Sequence, residues 1–241
     1  YGSRSYVDKK YADVYQNFFQ IVDDKCLDDN MEALADEVDV IFTATPQGLC
    51  ASLVNEDILN KVKIVDLSAD FRIKDVSVYE KWYGQKHSSP ELLKESVYGL
   101  CELYRDKVKS ARLIGNPGCY TTCSILGTYP ILKSGLGNSK NIIVDAKSGV
   151  TGAGRGLGLG YHFCECTENT KAYKIATHRH TSEIEQELSK AAGEEVMISF
   201  TPHLIPQKRG ILATIYVNLN KPVCSETVAS AKTLYLSKTT E

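Results

Sequence analysis

The chain has 241 residues, 43% of them hydrophobic and 24% charged, with a formal net charge of −2 at pH 7. This composition is typical of a soluble globular protein with one large or two modest domains, and the near-neutral charge argues against a nucleic-acid or membrane-surface partner. No apolar run approaches the roughly 20 residues of a membrane-spanning helix. The eight cysteines lack the spacing of a disulfide scaffold, which favours reduced thiols in a cytoplasm.

The first half alternates apolar β-branched runs with helical segments, which predicts a parallel sheet covered by helices. The expected buried strands are 38–44, 62–67 and 113–114. The expected helices are 11–19, 31–37 and an amphipathic helix from the Thr45-Pro46-Gln47-Gly48 loop to about Leu59. Residues 73–105 form a Tyr-rich connection with few long periodic runs.

Segment 114–122 combines the end of a buried strand, a Pro-Gly turn and a cysteine at the first turn of a long apolar helix. This arrangement predicts that the Cys119 sulfur lies at the positive end of a helix dipole, which lowers a thiol pKa from about 8.5 toward neutrality. Because a thiolate attacks acyl carbon, Cys119 is a candidate nucleophile that forms a thioester. The alternative is that Cys119 is a small apolar residue behind a loop. Cys123, one helical turn away, is either a second thiol or a core residue.

The second half predicts a helix to about residue 134, a strand at 141–148, a glycine-rich loop at 149–160 and a helix ending near Ala192. Thr181 or Ser182 is the expected cap of that helix. Segments 195–202 and 210–219 are expected to be neighbouring strands, followed by a helix at 227–235. The C-x-C pair at 164–166 lacks a second pair at zinc spacing, so we expect no metal site.

Asn116-Pro117-Gly118-Cys119-Tyr120 closely resembles the active-site signature of the N-acetyl-gamma-glutamyl-phosphate reductases of arginine biosynthesis, which are similar to the aspartate-semialdehyde dehydrogenases. Further matching blocks follow in order at 65–72, 81–84, 97–105, 148–155 and 178–184. They cover nearly the whole chain.

The resemblance implies an α/β fold, with a Rossmann-like parallel-sheet NADP-binding domain at 1–117 and an α+β catalytic and dimerisation domain at 118–241. The chain opens without the glycine turn that holds the cofactor pyrophosphate in this family, and family members continue past residue 241. We therefore expect a fragment that lacks the first βαβ unit and the C-terminal end. The family also implies a cytoplasmic homodimer or homotetramer acting on a small acyl phosphate, without nucleic acid, membrane or metal.

By the resemblance, Cys119 is the nucleophile and His178 the acid–base residue, a role that calls for a group titrating near neutrality. Arg72 would bind the substrate phosphate, the alternative being a surface ion pair with Asp70 or Asp75. The other expected substrate-binding residues are Asn116, His180 (the reserve acid–base residue), Glu183 (which would also orient an imidazole) and Lys171, with Arg179 a second candidate for the substrate carboxylate. The expected NADP(H)-binding residues are Ser3 and Arg4 at the 2′-phosphate, and Thr45, Pro46, Ser68, Ser148, Gly149, Thr151 and Gly152.

These residues would support NADPH-dependent reduction of N-acetyl-gamma-glutamyl phosphate to the 5-semialdehyde through a Cys119 thioester. Two alternatives stay open. One is a related reductase of aspartyl phosphate or of an aminoadipyl homologue, and the other is a non-catalytic cofactor-binding scaffold.

Overall fold

The computed structural model describes residues 2–222 and Cys224, so the helix expected at 227–235 lies outside it. The strands are β1 (Val40–Thr43), β2 (Lys63–Asp66), β3 (Val97–Tyr98), β4 (Leu113–Gly115), β5 (Ile142–Ser148), β6 (Lys171–Ala172), β7 (Ile198–Leu204) and β8 (Ile211–Tyr216). The α-helices are α1 (Tyr11–Val14), α2 (Met31–Ala35), α3 (Leu49–Leu53), α4 (Glu56–Leu59), α5 (Val76–Tyr83), α6 (Pro90–Glu95), α7 (Cys101–Ser110), α8 (Cys119–Lys133), α9 (Phe163–Cys166) and α10 (His180–Ala192). Short 3₁₀ turns lie at Gln16–Phe18, Val150–Ala153 and Leu159–Tyr161.

The first sheet is parallel throughout, in the order β1-β2-β4-β3. Its register aligns the strand ends, with Thr43 beside Asp66, Asp66 beside Gly115, and Gly115 beside Tyr98. The loops that follow these strands therefore leave from one edge, which is where open α/β sheets receive their ligands.

The second sheet is mixed, in the order β6-β7-β5-β8, and α8 and α10 pack together against one face. The expectation that 195–202 and 210–219 are neighbouring strands is wrong, because β5 lies between β7 and β8. The inward side chains of β5, Ile142, Val144 and Ala146, are fully buried. That burial suits the central position, but an apolar run does not reveal its partners. The expected domain boundary at 117/118 falls at the start of α8, and the division into two domains stays a prediction.

The first strand is less buried than its sequence predicts. Ile41 packs on the core, whereas Val40 and Phe42 on the opposite face are 40% and 66% exposed. The reason is that β1 is an edge strand, paired with β2 alone among the described residues, and the described helices cover the Ile41 face.

Two helical regions also differ from expectation. The helix expected to reach Leu59 divides into α3 and α4, because Val54 is extended and the Asn55 side chain caps α4 by accepting the Ile58 N–H. The connection at 73–105 contains β3, the helices α5 and α6, and the first half of α7. Asp75 caps α5 at one end, and Gly84 ends it with a positive φ of 68°.

Candidate active site

The carboxyl edge of the first sheet meets the second sheet at a cavity of about 610 Å³. The residues that line it come from both halves of the chain: Gln47, Arg72, Tyr83, Cys119, Tyr120, Ser148, Gly152, Ala153, Gly158, Gly160, Tyr161, Lys171, Tyr173, Lys174, His178, Arg179, His180 and Leu204. The cavity thus brings together the expected nucleophile, both histidines, Arg72, Lys171 and four residues of the glycine-rich loop.

Cys119 is exposed and is the first residue of α8. The helix begins after Gly118, which has no side chain to cap it, so no N-cap side chain occupies the N–H groups of the first turn. Those N–H groups and the helix dipole favour negative charge at this end of α8. Cys123 is half-buried, and burial raises its pKa, as expected for a core thiol.

His178 is held by the backbone of the helix that follows it. Its Nδ1 accepts the His180 N–H at 3.1 Å, so the neutral ring carries its proton on Nε2, on the opposite side. The rings of Tyr120, Tyr173 and Phe200 surround it at centroid distances of 5.5, 5.8 and 5.4 Å. The helix cap expected at Thr181 or Ser182 is wrong, since Arg179 is the N-cap residue of α10 and no side chain caps the helix in that way.

Both histidines favour the neutral form. Burial, followed by the charges of His180, Lys174 and Arg179, lowers the pKa of His178 to about 3. Burial, followed by the charges of Arg72, Arg179 and Lys174, lowers the pKa of His180 to about 3. This direction runs against an acid–base histidine that titrates near neutrality, and that role of His178 stays a prediction.

Arg72 forms a buried network. Its Nε donates to the Asn116 carbonyl at 2.5 Å and its Nη2 to the Leu67 carbonyl at 2.7 Å. Its Nη1 lies 3.4 Å from Glu183 Oε2, so Glu183, rather than Asp70 or Asp75, is its ionic partner. One N–H on each terminal nitrogen remains for a ligand in the cavity.

Glu183 differs from its expected role. It is fully buried, and its Oε1 accepts the Gly118 N–H at 3.1 Å and the Tyr98 hydroxyl at 2.6 Å. The carboxylate neither lines the cavity nor hydrogen-bonds a histidine ring, because these donors and Arg72 surround it. This placement does not support the expected contact of Glu183 with substrate, which stays a prediction, and none of its described hydrogen bonds is to an imidazole.

The cavity wall is cationic. Arg72, Lys171, Lys174 and Arg179 line it, and within the part of the chain that the structure describes no Asp or Glu does so. The Arg179 guanidinium also lies 5.0 Å from the centre of the Tyr83 ring. Such a wall favours an anionic ligand.

The residues expected to bind NADP(H) are dispersed. Ser148 and Gly152 line the cavity, whereas Gly149 and Thr151 bond the neighbouring loop through Gly210 and Lys208. Ser68 is 2% exposed and donates its hydroxyl to Asp66, and its expected contact with the cofactor stays a prediction.

The remaining cofactor candidates lie outside the cavity lining. Arg4 is exposed and pairs with Asp29 at 3.1 Å, while the Ser3 N–H bonds the Leu27 carbonyl. Thr45 fits a polar ligand best, since its Oγ1 is buried with no partner among the described residues. Pro46 follows it at the carboxyl edge of β1.

Several cavity residues had no predicted role. The residues of this kind are Tyr83, Tyr120, Tyr173 and Lys174. Tyr120 lies inside the active-site signature and Tyr83 inside a matching block, and these positions are the sequence signals that point to them. Asn116 contributes through its backbone, and its side-chain amide donates to the Pro117 carbonyl.

In residues 2–222 and Cys224, no three His, Cys, Asp or Glu side chains form a group able to hold a metal ion. None of the described helices has the length and apolar character needed to cross a membrane.

A parallel sheet joined to a mixed sheet, with a helix-start cysteine and a histidine in one cavity, defines a protein of the semialdehyde dehydrogenase class. Family models agree: "Semialdehyde dehydrogenase, NAD binding domain" matches residues 1–111, and "Semialdehyde dehydrogenase, dimerisation domain" matches residues 119–239. The structure also resembles aspartate semialdehyde dehydrogenase from Francisella tularensis (TM-score 0.59, 12% identity, 98% of this chain and 71% of that one). Aspartate semialdehyde dehydrogenase II from Vibrio cholerae aligns with TM-score 0.58 at 15% identity, over 82% of this chain and 60% of that one. Identities this low show the fold alone.

Proteins with similar sequences identify the family within the semialdehyde dehydrogenase class. Proteins named N-acetyl-gamma-glutamyl-phosphate reductase are 60% identical in Lachnoclostridium phytofermentans, over 99% of this chain and 69% of the relative, and 60% identical in Lachnospira eligens, over 98% and 69%. The protein of that name in Acetivibrio thermocellus is 50% identical over 97% of this chain and 66% of its own length. The chain belongs to the N-acetyl-gamma-glutamyl-phosphate reductase family.

Proposed function

We propose that this protein reduces N-acetyl-gamma-glutamyl phosphate to N-acetylglutamate 5-semialdehyde with NADPH, releasing phosphate, as a step of arginine biosynthesis. One observation carries the proposal: an exposed cysteine at an uncapped helix start shares a cationic cavity with a histidine of fixed tautomer. The identity of the proposed substrate comes from the names of the related reductases.

Cys119 is the nucleophile of the proposed reaction. Its thiolate attacks the acyl carbon, the bond from that carbon to the phosphate oxygen breaks, and phosphate leaves with the electron pair and takes up a proton from solvent. The product of this step is a thioester on Cys119. NADPH, when bound, supplies the hydride that reduces the thioester carbon.

His178 serves the step in which negative charge reaches the substrate oxygen. Hydride addition gives a thiohemiacetal oxyanion, and its collapse to the aldehyde expels the Cys119 thiolate without a net proton transfer. The residue needed is therefore a hydrogen-bond donor, and the neutral His178 ring offers its Nε2–H. The N–H groups at the start of α8 add further donors.

The four cations are proposed to hold the two anionic ends of the substrate. The free N–H groups of Arg72 suit the phosphate, while Lys171 or Arg179 suits the carboxylate. His180, whose Nδ1 is buried without a hydrogen-bond partner in the described structure, lies beside them. For NADP(H) we propose Thr45 and Pro46 at the sheet edge, Arg4 at the 2′-phosphate, and Ser148 with Gly152 near the reacting carbon.

We further propose a homodimer or homotetramer acting in the cytoplasm. The second sheet leaves Ile143, Leu212 and Tyr216 exposed on the face away from α8 and α10. Exposed apolar side chains on a sheet face, here beside the Asp145–Lys147 ion pair, suit a contact with a second subunit.

The experiment is phosphate-dependent reduction of NADP by the full-length protein, with N-acetylglutamate semialdehyde and aspartate semialdehyde offered separately. We expect turnover of the acetylated substrate, a loss of at least about a thousandfold in Cys119→Ser, and little change in Cys101→Ser, a matched exposed cysteine on α7. Turnover of aspartate semialdehyde alone would move the assignment to a related acyl-phosphate reductase. A folded protein inactive on both substrates would refute the proposal.

A further inference from the structure

The ion pair of Arg72 and Glu183 closes around the turn that carries Cys119. Arg72 Nε binds the Asn116 carbonyl at 2.5 Å, and Glu183 Oε1 accepts the Gly118 N–H at 3.1 Å. Pro117 between them has no N–H to offer. Two side chains distant in sequence thus hold both ends of the three-residue turn before the nucleophile.

The pair is itself fixed from several elements. Arg72 follows β2 and is anchored to the Leu67 carbonyl, while Tyr98 at the end of β3 donates to Glu183 on α10. Both charged side chains are buried, at 6% and 0% exposure. A buried pair with its other polar atoms bonded has little freedom to shift, so the turn is held relative to β2, β3 and α10 together.

We propose that Glu183 is a positioning residue: with Arg72 it clasps the Asn116-Pro117-Gly118 turn and thereby fixes where the Cys119 sulfur lies at the start of α8. The inference rests on Cys119 being the nucleophile of the function proposed above. Glu183 also balances the positive charge of Arg72 close to Cys119. Removing its charge while keeping its shape would therefore change the electrostatic field at the sulfur as well as its position.

Glu187 provides a matched comparison one turn further along α10. It is also fully buried, accepts a tyrosine hydroxyl from Tyr104 at 2.5 Å, and pairs with Lys190 at 2.6 Å. Its assigned partners do not include the nucleophile turn. A buried carboxylate that only stabilises the fold would behave like Glu187.

The test compares Glu183→Gln with Glu187→Gln in the full-length protein. Glutamine keeps one oxygen for the Gly118 N–H and the Tyr98 hydroxyl, but turns its amide toward Arg72. The readouts are the rate of Cys119 alkylation by iodoacetamide between pH 5 and 9.5, followed on the Cys119 peptide by mass spectrometry, and kcat and KM. The titratable and charged groups that share the cavity with the sulfur are Arg72, Tyr83, Tyr120, Tyr161, Lys171, Tyr173, Lys174, His178, Arg179 and His180, while Cys123 lies one helical turn away and Glu183 bonds the Gly118 N–H.

In Glu183→Gln we expect the limiting rate of Cys119 alkylation to change about twofold or more, because the ion pair that holds the turn is lost. We expect kcat to fall about tenfold or more with KM within about twofold, since Arg72 keeps its bonds to the Asn116 and Leu67 carbonyls and so stays in place to bind phosphate. Glu187→Gln should leave the limiting alkylation rate and kcat unchanged. Equal limiting rates for the two variants would overturn the proposal.

Alkylation needs no substrate, so a changed limiting alkylation rate in a protein that turns over neither semialdehyde would uphold the clasp and refute only the proposed function. If Glu183→Gln does not fold, Tyr98→Phe and Tyr104→Phe repeat the comparison more mildly, each removing one hydroxyl from its carboxylate. The limiting alkylation rate of Cys119 should then change about twofold or more in Tyr98→Phe alone. Identical limiting rates in these two variants would overturn the proposal.

Discussion

Replacing Gly118 by alanine tests the packing that surrounds the nucleophile. A methyl carbon at this position would lie 2.5 Å from His180 Nε2, 2.6 Å from His180 Cε1 and 3.1 Å from Arg72 Nη1. The backbone itself accepts alanine, since φ is −70° and ψ is 163°. Any loss of stability or activity in Gly118→Ala therefore comes from contacts with the side chains of His180 and Arg72.

The closest approach is about 1 Å shorter than an ordinary van der Waals contact, so either the His180 ring or the start of α8 must move by about that distance. Overpacking of this size costs about 1–3 kcal/mol, which lowers the melting temperature of a chain this long by about 2–12 °C. A displacement of about 1 Å at a reacting group reduces kcat about a hundredfold. We expect both losses in Gly118→Ala.

The assays are thermal unfolding and the phosphate-dependent reduction of NADP. Gly156→Ala is the matched control, because a methyl group there meets no atom within 4 Å. The double variant Gly118→Ala/His180→Ala should be more stable than the sum of the two single changes predicts, since truncating the ring removes the clash. Wild-type stability and turnover in Gly118→Ala, or additivity in the double variant, would refute the packing described here.

Two further predictions concern the strand end and the histidines. Gly115→Ala should abolish folding, because the methyl group would lie 2.6 Å from the Phe71 carbonyl carbon, and backbone atoms cannot turn aside; a folded Gly115→Ala protein would contradict the close approach of β4 to that turn. In NMR titrations, the ring protons of His178 and His180 should not shift between pH 8 and 5, whereas in urea every histidine should titrate near about 6.5. Because the unfolded chain takes up these protons first as pH falls, the free energy of unfolding should decrease between about pH 6.5 and about 3, and less so in His178→Asn.

The sequence predicts well the features that local chemistry determines. The turn at Pro117-Gly118, the cysteine that begins α8 and the strands β2 and β5 follow from turn residues and apolar runs. The region 73–105 also carries local signals for helices. Asp75 followed by Ser77 marks a helix start, and Gly84 marks its end.

The rest depends on contacts between distant residues. Arg72 and Glu183 are 111 positions apart, and nothing in either segment indicates that their side chains meet inside the protein. The exposure of Phe42 and the position of β5 between β7 and β8 depend on the order of strands, which periodicity does not encode. The roles of Arg72 and Glu183 are therefore the hardest to predict from sequence, although the family resemblance points to both residues.

Burial is the main cause of the lowered pKa of both histidines, and the cationic wall adds to it. Lys174 and Arg179 contribute to lowering the pKa of both rings, and with Arg72 and Lys171 they form the wall that attracts an anionic substrate. A cavity that draws in an acyl phosphate therefore also disfavours imidazolium, which suits a reaction whose oxyanion needs a donor but no net proton. A bound phosphate dianion partly cancels the field, so the rings should become easier to protonate once substrate is present. The clasp of Arg72 and Glu183 is important for this reaction because the Cys119 sulfur, the oxyanion and the neutral donor must lie within hydrogen-bond distance of one another. The turn at Gly118 sets that distance.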